Sequence, residues 1–91
     1  MLTIELVKLQ EAVAPNPDIR VRGRFQRVLG VEATAGELHL RVVEHDQGEL
    51  RRYRFCVLPD GAELPAAWRT YLGTVTQTGT GERFSVFEGA P

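Results

Sequence analysis

A single cysteine, Cys56, among 91 residues excludes an intramolecular disulfide and suits a reducing compartment, so a cytoplasmic protein is expected. Ser85 is the one serine, and histidine is limited to His39 and His45. Nucleophilic catalysis needs a nucleophile beside a base that a third group orients. Ser85 falls in an alternating segment rather than on a sharp elbow. Cys56 stands between Phe55 and Val57, where a thiol behaves as a small hydrophobe. A Cys56–His39 dyad across neighbouring strands is the one pairing left. Metal chemistry fares no better: Glu44, His45 and Asp46 are consecutive in a predicted turn and would point in different directions. Gly79-Thr80-Gly81 lacks the lysine and helix of a phosphate loop, and no two carboxylates are identified as an acid/base pair. The expectation is therefore a non-enzyme with no cofactor and no metal.

Long apolar runs are missing too. The N-terminal MLTIELVKL has no basic head and is broken by Glu5 and Lys8, so neither a signal peptide nor a membrane span is expected there. Lysine is represented by Lys8 alone, against ten arginines, and the net charge of −1 gives no global attraction to nucleic acid or anionic membranes. The charge is unevenly spread, however. Residues 19–54 carry eight arginines and five acids, whereas the flanking segments are acidic.

What is present is period-two alternation, the mark of half-buried strands. Leu2, Ile4 and Leu6 alternate with Thr3 and Glu5, and a strand over residues 2–9 ends before the prolines of Ala14-Pro15-Asn16-Pro17-Asp18. Ile19, Val21 and Phe25 alternate with Arg20, Arg22 and Arg24, with Gly23 marking a bend, so a short strand at 19–22 and another near 26–33 are predicted. Ala35-Gly36 turns that strand into 37–44 as a hairpin, and 50–58 follows after His45-Asp46-Gln47-Gly48 to make a meander. Leu64–Arg69 has the spacing of one short helical turn, and residues 69–77 and 83–88 form a closing hairpin. The fold class is mainly β: one small domain over 1–91, an antiparallel sheet, sandwich or partly open barrel of about six strands. Its core is drawn from Leu2, Ile4, Leu6, Val21, Phe25, Leu29, Leu40, Val42, Tyr53, Phe55, Trp68, Tyr71, Leu72, Val75, Phe84 and Phe87.

Three segments, Leu29-Gly30-Val31-Glu32-Ala33-Thr34-Ala35-Gly36-Glu37-Leu38-His39-Leu40, Arg52-Tyr53-Arg54-Phe55, and the pair Tyr71-Leu72-Gly73-Thr74-Val75 with Val86-Phe87-Glu88, together resemble a family of small uncharacterised bacterial and bacteriophage domains. The chain differs in having Thr34-Ala35-Gly36 at an expected Asn-Gly turn and in its arginine-rich second strand. The resemblance implies a mostly β domain of the kind phages carry, and it transfers no activity and no functional residue.

The arginines rise above this background. If the strands at 19–26, 37–43 and 50–57 share one sheet, Arg20, Arg22, Arg24, Arg41, Arg52 and Arg54, with His39, share its solvent face. Guanidinium groups grip carboxylate or phosphate in pairs of hydrogen bonds. The opposing reading is cross-strand neutralisation by Glu5, Glu32, Glu37, Glu44 and Glu49. Phe25, Tyr53 and Phe55 fall on the other face, so a base-stacking platform is not evident, and a protein partner is expected before nucleic acid. The sequence thus predicts a non-enzymatic binding module, such as a phage-type accessory or inhibitor protein, acting through that face or through a surface of the terminal hairpin. The alternatives are a small-ligand domain around Trp68, Tyr71 and Cys56, or a structural homodimer joined through an edge strand.

Overall fold

Alternation at period two dictates strands, and strands are what the chain forms. A computed structural model describes residues 1–66 and 68–90, and of Arg69 the backbone only. Among these residues the seven strands are β1 (Leu2–Gln10), β2 (Asn16–Gly23), β3 (Phe25–Thr34), β4 (Glu37–His45), β5 (Arg51–Pro59), β6 (Trp68–Thr76) and β7 (Arg83–Gly89). They build a three-stranded sheet in the order β1-β4-β3 and a four-stranded sheet in the order β2-β5-β7-β6, antiparallel throughout. Among the described residues there is no helix. The predicted helical turn at 64–69 reduces to a hydrogen bond from Trp68 N to Pro65 O, 3.1 Å, with Ala67 outside the described residues.

The two inner faces pack a core of Leu38, Leu40 and Val42 from β4, Phe55 and Val57 from β5, and Phe84 and Val86 from β7, all buried. The predicted meander is not what forms. After β4 the chain leaves its sheet at Asp46–Leu50, and β5 joins the other sheet beside β2 and β7. β2 likewise changes sheet on becoming β3, at Arg24. That corner is held by Tyr53, whose hydroxyl donates to Phe25 O (2.9 Å) and accepts from Phe25 N (3.2 Å) while the two rings stack at 4.6 Å. A side chain at Gly23 would collide with the Phe25 ring, so glycine is required there. Tyr53→Phe keeps the stacking and loses both hydrogen bonds. Urea denaturation should show a loss of about 1–2 kcal/mol.

The first strand corrects the sequence reading of the core. Register places Leu2 opposite His45, Ile4 opposite Val43 and Leu6 opposite Arg41, on the outer side of the three-stranded sheet. All three are half or more exposed, as are Leu29 and Tyr71 to a similar degree. The alternation holds with its parity reversed, because Val7 and Leu9 are the residues β1 turns toward the core.

The β3–β4 hairpin closes through Ala35 and Gly36, both at positive φ (52° and 81°), as a two-residue turn matched to strand twist requires. Glycine adopts this region freely, whereas alanine is strained in it. Ala35→Asn, exposed and in open solvent, should raise stability by about 0.5–1 kcal/mol in the same assay.

Candidate anion-binding face

Paired residues in an antiparallel ladder point their side chains to the same side, with Cβ atoms about 4.5–5.5 Å apart. Ile19 opposite Phe55 and Val21 opposite Tyr53 face inward, so Arg20 opposite Arg54 and Arg22 opposite Arg52 face outward on the four-stranded sheet. Four of the six predicted arginines therefore come together, and they do so as two directly opposed pairs of like charge.

The other two do not join them. Arg41 is on the outer side of the three-stranded sheet, where it pairs with Glu32 at 3.2 Å, because β4 and β5 belong to different sheets. Arg24 sits at the corner between β2 and β3, its carbonyl accepting from His45 N at 3.1 Å. His39 is also on the Arg41 face, with Nε2 3.4 Å from Glu37 and, among the described residues, no partner for its buried Nδ1. His39 and Cys56 therefore face away from each other on opposite sides of the sandwich, which rules out the dyad.

Among the described residues, one carboxylate serves the arginine cluster. Asp18 approaches Arg20 at 3.2 Å and Arg54 at 3.4 Å, and the hydrogen bond from Arg20, with the charges of Arg20 and Arg54, holds its carboxyl below the usual range. Arg54 is further engaged by Trp68. In the row Arg54–Gly89–Trp68 the glycine leaves room for the indole to lie across it, and the Arg54 guanidinium stands 5.2 Å from the ring centre. Among the described residues, Arg22 and Arg52 have no carboxylate within ion-pair distance.

The same face carries aromatic residues that the sequence reading missed. Phe87 pairs with Cys56 and with Tyr71, and the Phe87 and Tyr71 rings meet at 5.6 Å. Phe25, Tyr53 and Phe55 are on the inward side, as predicted, but β6 and β7 bring Trp68, Phe87 and Tyr71 outward beside the arginines. Their parity was readable, yet their side of the sheet depended on the β5–β7 register. They do not make a stacking platform: Trp68 is buried under Arg54, and Tyr71 alone is well exposed.

Cys56 points to this face by register but is wholly covered, and burial pushes its thiol up. An open depression of about 640 Å³ borders Arg52 and is lined also by Glu49, Leu50, Arg51, Tyr53 and Glu88, where burial raises the Glu88 carboxyl. Neither it nor two smaller depressions around Arg24 and His45 include Trp68, Tyr71 or Cys56. At the Glu44–Asp46 turn, His45 Nδ1 accepts from Gln47 N and the Asp46 carboxylate from the N-terminal amine, so both groups have local partners. No helix among the described residues is long and apolar enough to cross a membrane.

No known protein family, curated protein or solved structure matches the chain.

Proposed function

We propose that the protein is a non-enzymatic binding module whose partner is an acidic protein segment held on the outer face of β2 and β5. The reading rests on one observation: Arg22 and Arg52 oppose each other directly across the ladder and, among the described residues, neither has a carboxylate within ion-pair distance. Like charges so placed cost the fold stability, and a bound carboxylate removes that cost while gaining two charge-assisted hydrogen bonds. Two available guanidinium groups suit a carboxylate side chain. A phosphate backbone needs a longer basic track and stacking rings, and the chain's net charge of −1 adds no long-range attraction for it. An accessory or inhibitory protein of the phage type would use such a surface.

Fluorescence polarisation with an acidic peptide and with single-stranded DNA, each at low and moderate salt, tests the reading. The peptide should bind at low salt and weaken only modestly as salt rises, since few charges are neutralised. No peptide binding at low salt overturns the proposal, and DNA binding that is tighter and collapses with salt would replace it.

A second reading, a homodimer joined through β1, is favoured by the outward row of Leu2, Ile4 and Leu6 on an edge strand whose one central charge is Glu5. Sedimentation would show a dimer that Ile4→Lys dissolves.

A further inference from the structure

Every sheet edge carries unpaired backbone groups, and the two edges on the open side of this sandwich are treated differently by the sequence. β1 pairs with β4 alone and β2 with β5 alone, and β1 and β2 do not meet as β3 and β6 do on the other side. No backbone hydrogen bond to a loop covers the free edge of β2 over 17–23 among the described residues. That edge repels a second copy of itself, since Arg20 and Arg22 stand in a row on the outer face of this edge strand and Pro17 stands near its start. The same side chains invite a strand of opposite charge.

We infer that the acidic segment of the proposed function binds as an added strand along the free edge of β2, with acids two residues apart set opposite Arg20 and Arg22. The inference rests on the arginine-face reading and specifies how that face is used. Period-two geometry fixes the motif. A strand laid beside β2 presents alternate side chains to the outer face, so residues i and i+2 meet Arg20 and Arg22, while residue i+1 turns inward beside half-buried Val21. The sequence sought is acid–apolar–acid, as in Glu-Val-Glu. The two acids are not equivalent. Arg20 already shares Asp18 with Arg54, whereas among the described residues Arg22 and its neighbour Arg52 have no carboxylate within ion-pair distance, so the acid opposite Arg22 contributes more. Backbone pairing supplies affinity that is insensitive to side chains, and the arginine row supplies selection for charge.

The test uses the full chain and three labelled peptides of the sequence Thr-Glu-Val-Glu-Val-Thr in a polarisation titration. One is unmodified, and the other two carry N-methyl groups on alternate amides of opposite parity. A strand bonds its neighbour through every second residue, so methylation of one parity should weaken binding by about tenfold or more and methylation of the other should leave it nearly unchanged. Arg22→Ala should weaken the unmodified peptide more than Arg20→Ala does. Equal binding of all three peptides overturns the strand addition and leaves the arginine face standing. Failure of the unmodified peptide to bind at low salt overturns both. Arg20→Ala and Arg22→Ala change exposed side chains, so both variants are expected to fold, and a larger effect at Arg20 would contradict the assignment of the two acids.

Discussion

Gly73→Ala is expected to lower the unfolding free energy by about 2–5 kcal/mol. Two costs combine. The backbone at Gly73 has φ of 153°, outside the region that residues with a Cβ adopt readily, and an added Cβ would stand 2.7 Å from Val31 Cγ2. Gly73 sits at a register shift in β6, where β3 of the opposite sheet comes down onto it, so the methyl group would wedge apart the side on which β3 and β6 meet. Val31→Ala removes the collision but not the backbone strain. In a denaturation double-mutant cycle, the loss from the pair should fall short of the sum of the single losses by about 1 kcal/mol or more. Strictly additive losses would mean that Val31 is not what the methyl group meets.

That contact also marks how far the fold could be read in advance. Strand positions follow from local alternation, so the Ala35-Gly36 hairpin and the closing β6–β7 hairpin were legible, as was the mainly β class. Sheet membership was not, because it depends on which way the chain turns at a corner. His45–Gly48 looks like any hairpin turn, yet it carries the chain from one sheet to the other, and nothing in its composition distinguishes the two outcomes. Parity has the same weakness. Leu2, Ile4 and Leu6 are more apolar than Thr3, Glu5 and Val7, and a strand packed along its whole length would bury the first set. β1 is an edge strand whose N-terminal half overhangs the core, so the more apolar set faces solvent.

The site divides along the same line. Arg20 and Arg22 share a face by local parity, and Arg52 and Arg54 do so for the same reason; the two pairs come together because β2 and β5 are neighbours. Arg41 would join them only in a continuous meander, which the crossing between sheets after β4 removes. The expected neutralising acids are mostly elsewhere too: Glu32 pairs with Arg41, Glu49 with Arg51, and Glu37 stands beside Lys8 and His39. The carboxylate that does serve the cluster, Asp18, belongs to a segment read as a turn, and its role depends on the irregular register between Asn16 and Ile19.

Arg52→Glu should make the protein more stable while removing its capacity to bind. In the folded chain Arg52 faces Arg22, and among the described residues no carboxylate stands within ion-pair distance of either, so reversing its charge replaces a repulsion with an attraction across the ladder. The expected gain is about 0.5–1.5 kcal/mol at low ionic strength, seen as a higher urea midpoint with an unchanged slope. Added salt should shrink it, because both side chains are exposed and their interaction is screened over about 10 Å at 0.1 M. Acidic-peptide affinity should fall by more than about tenfold, since the site loses one guanidinium and acquires a repelling carboxylate. Arg41→Glu makes the same change of charge on the other sheet and is the control. It breaks the pair with Glu32, so it should lower stability slightly and leave peptide binding intact. A structural surface gains nothing from keeping two arginines in opposition. A variant that became more stable and still bound the peptide would therefore place the acidic partner somewhere other than β2 and β5.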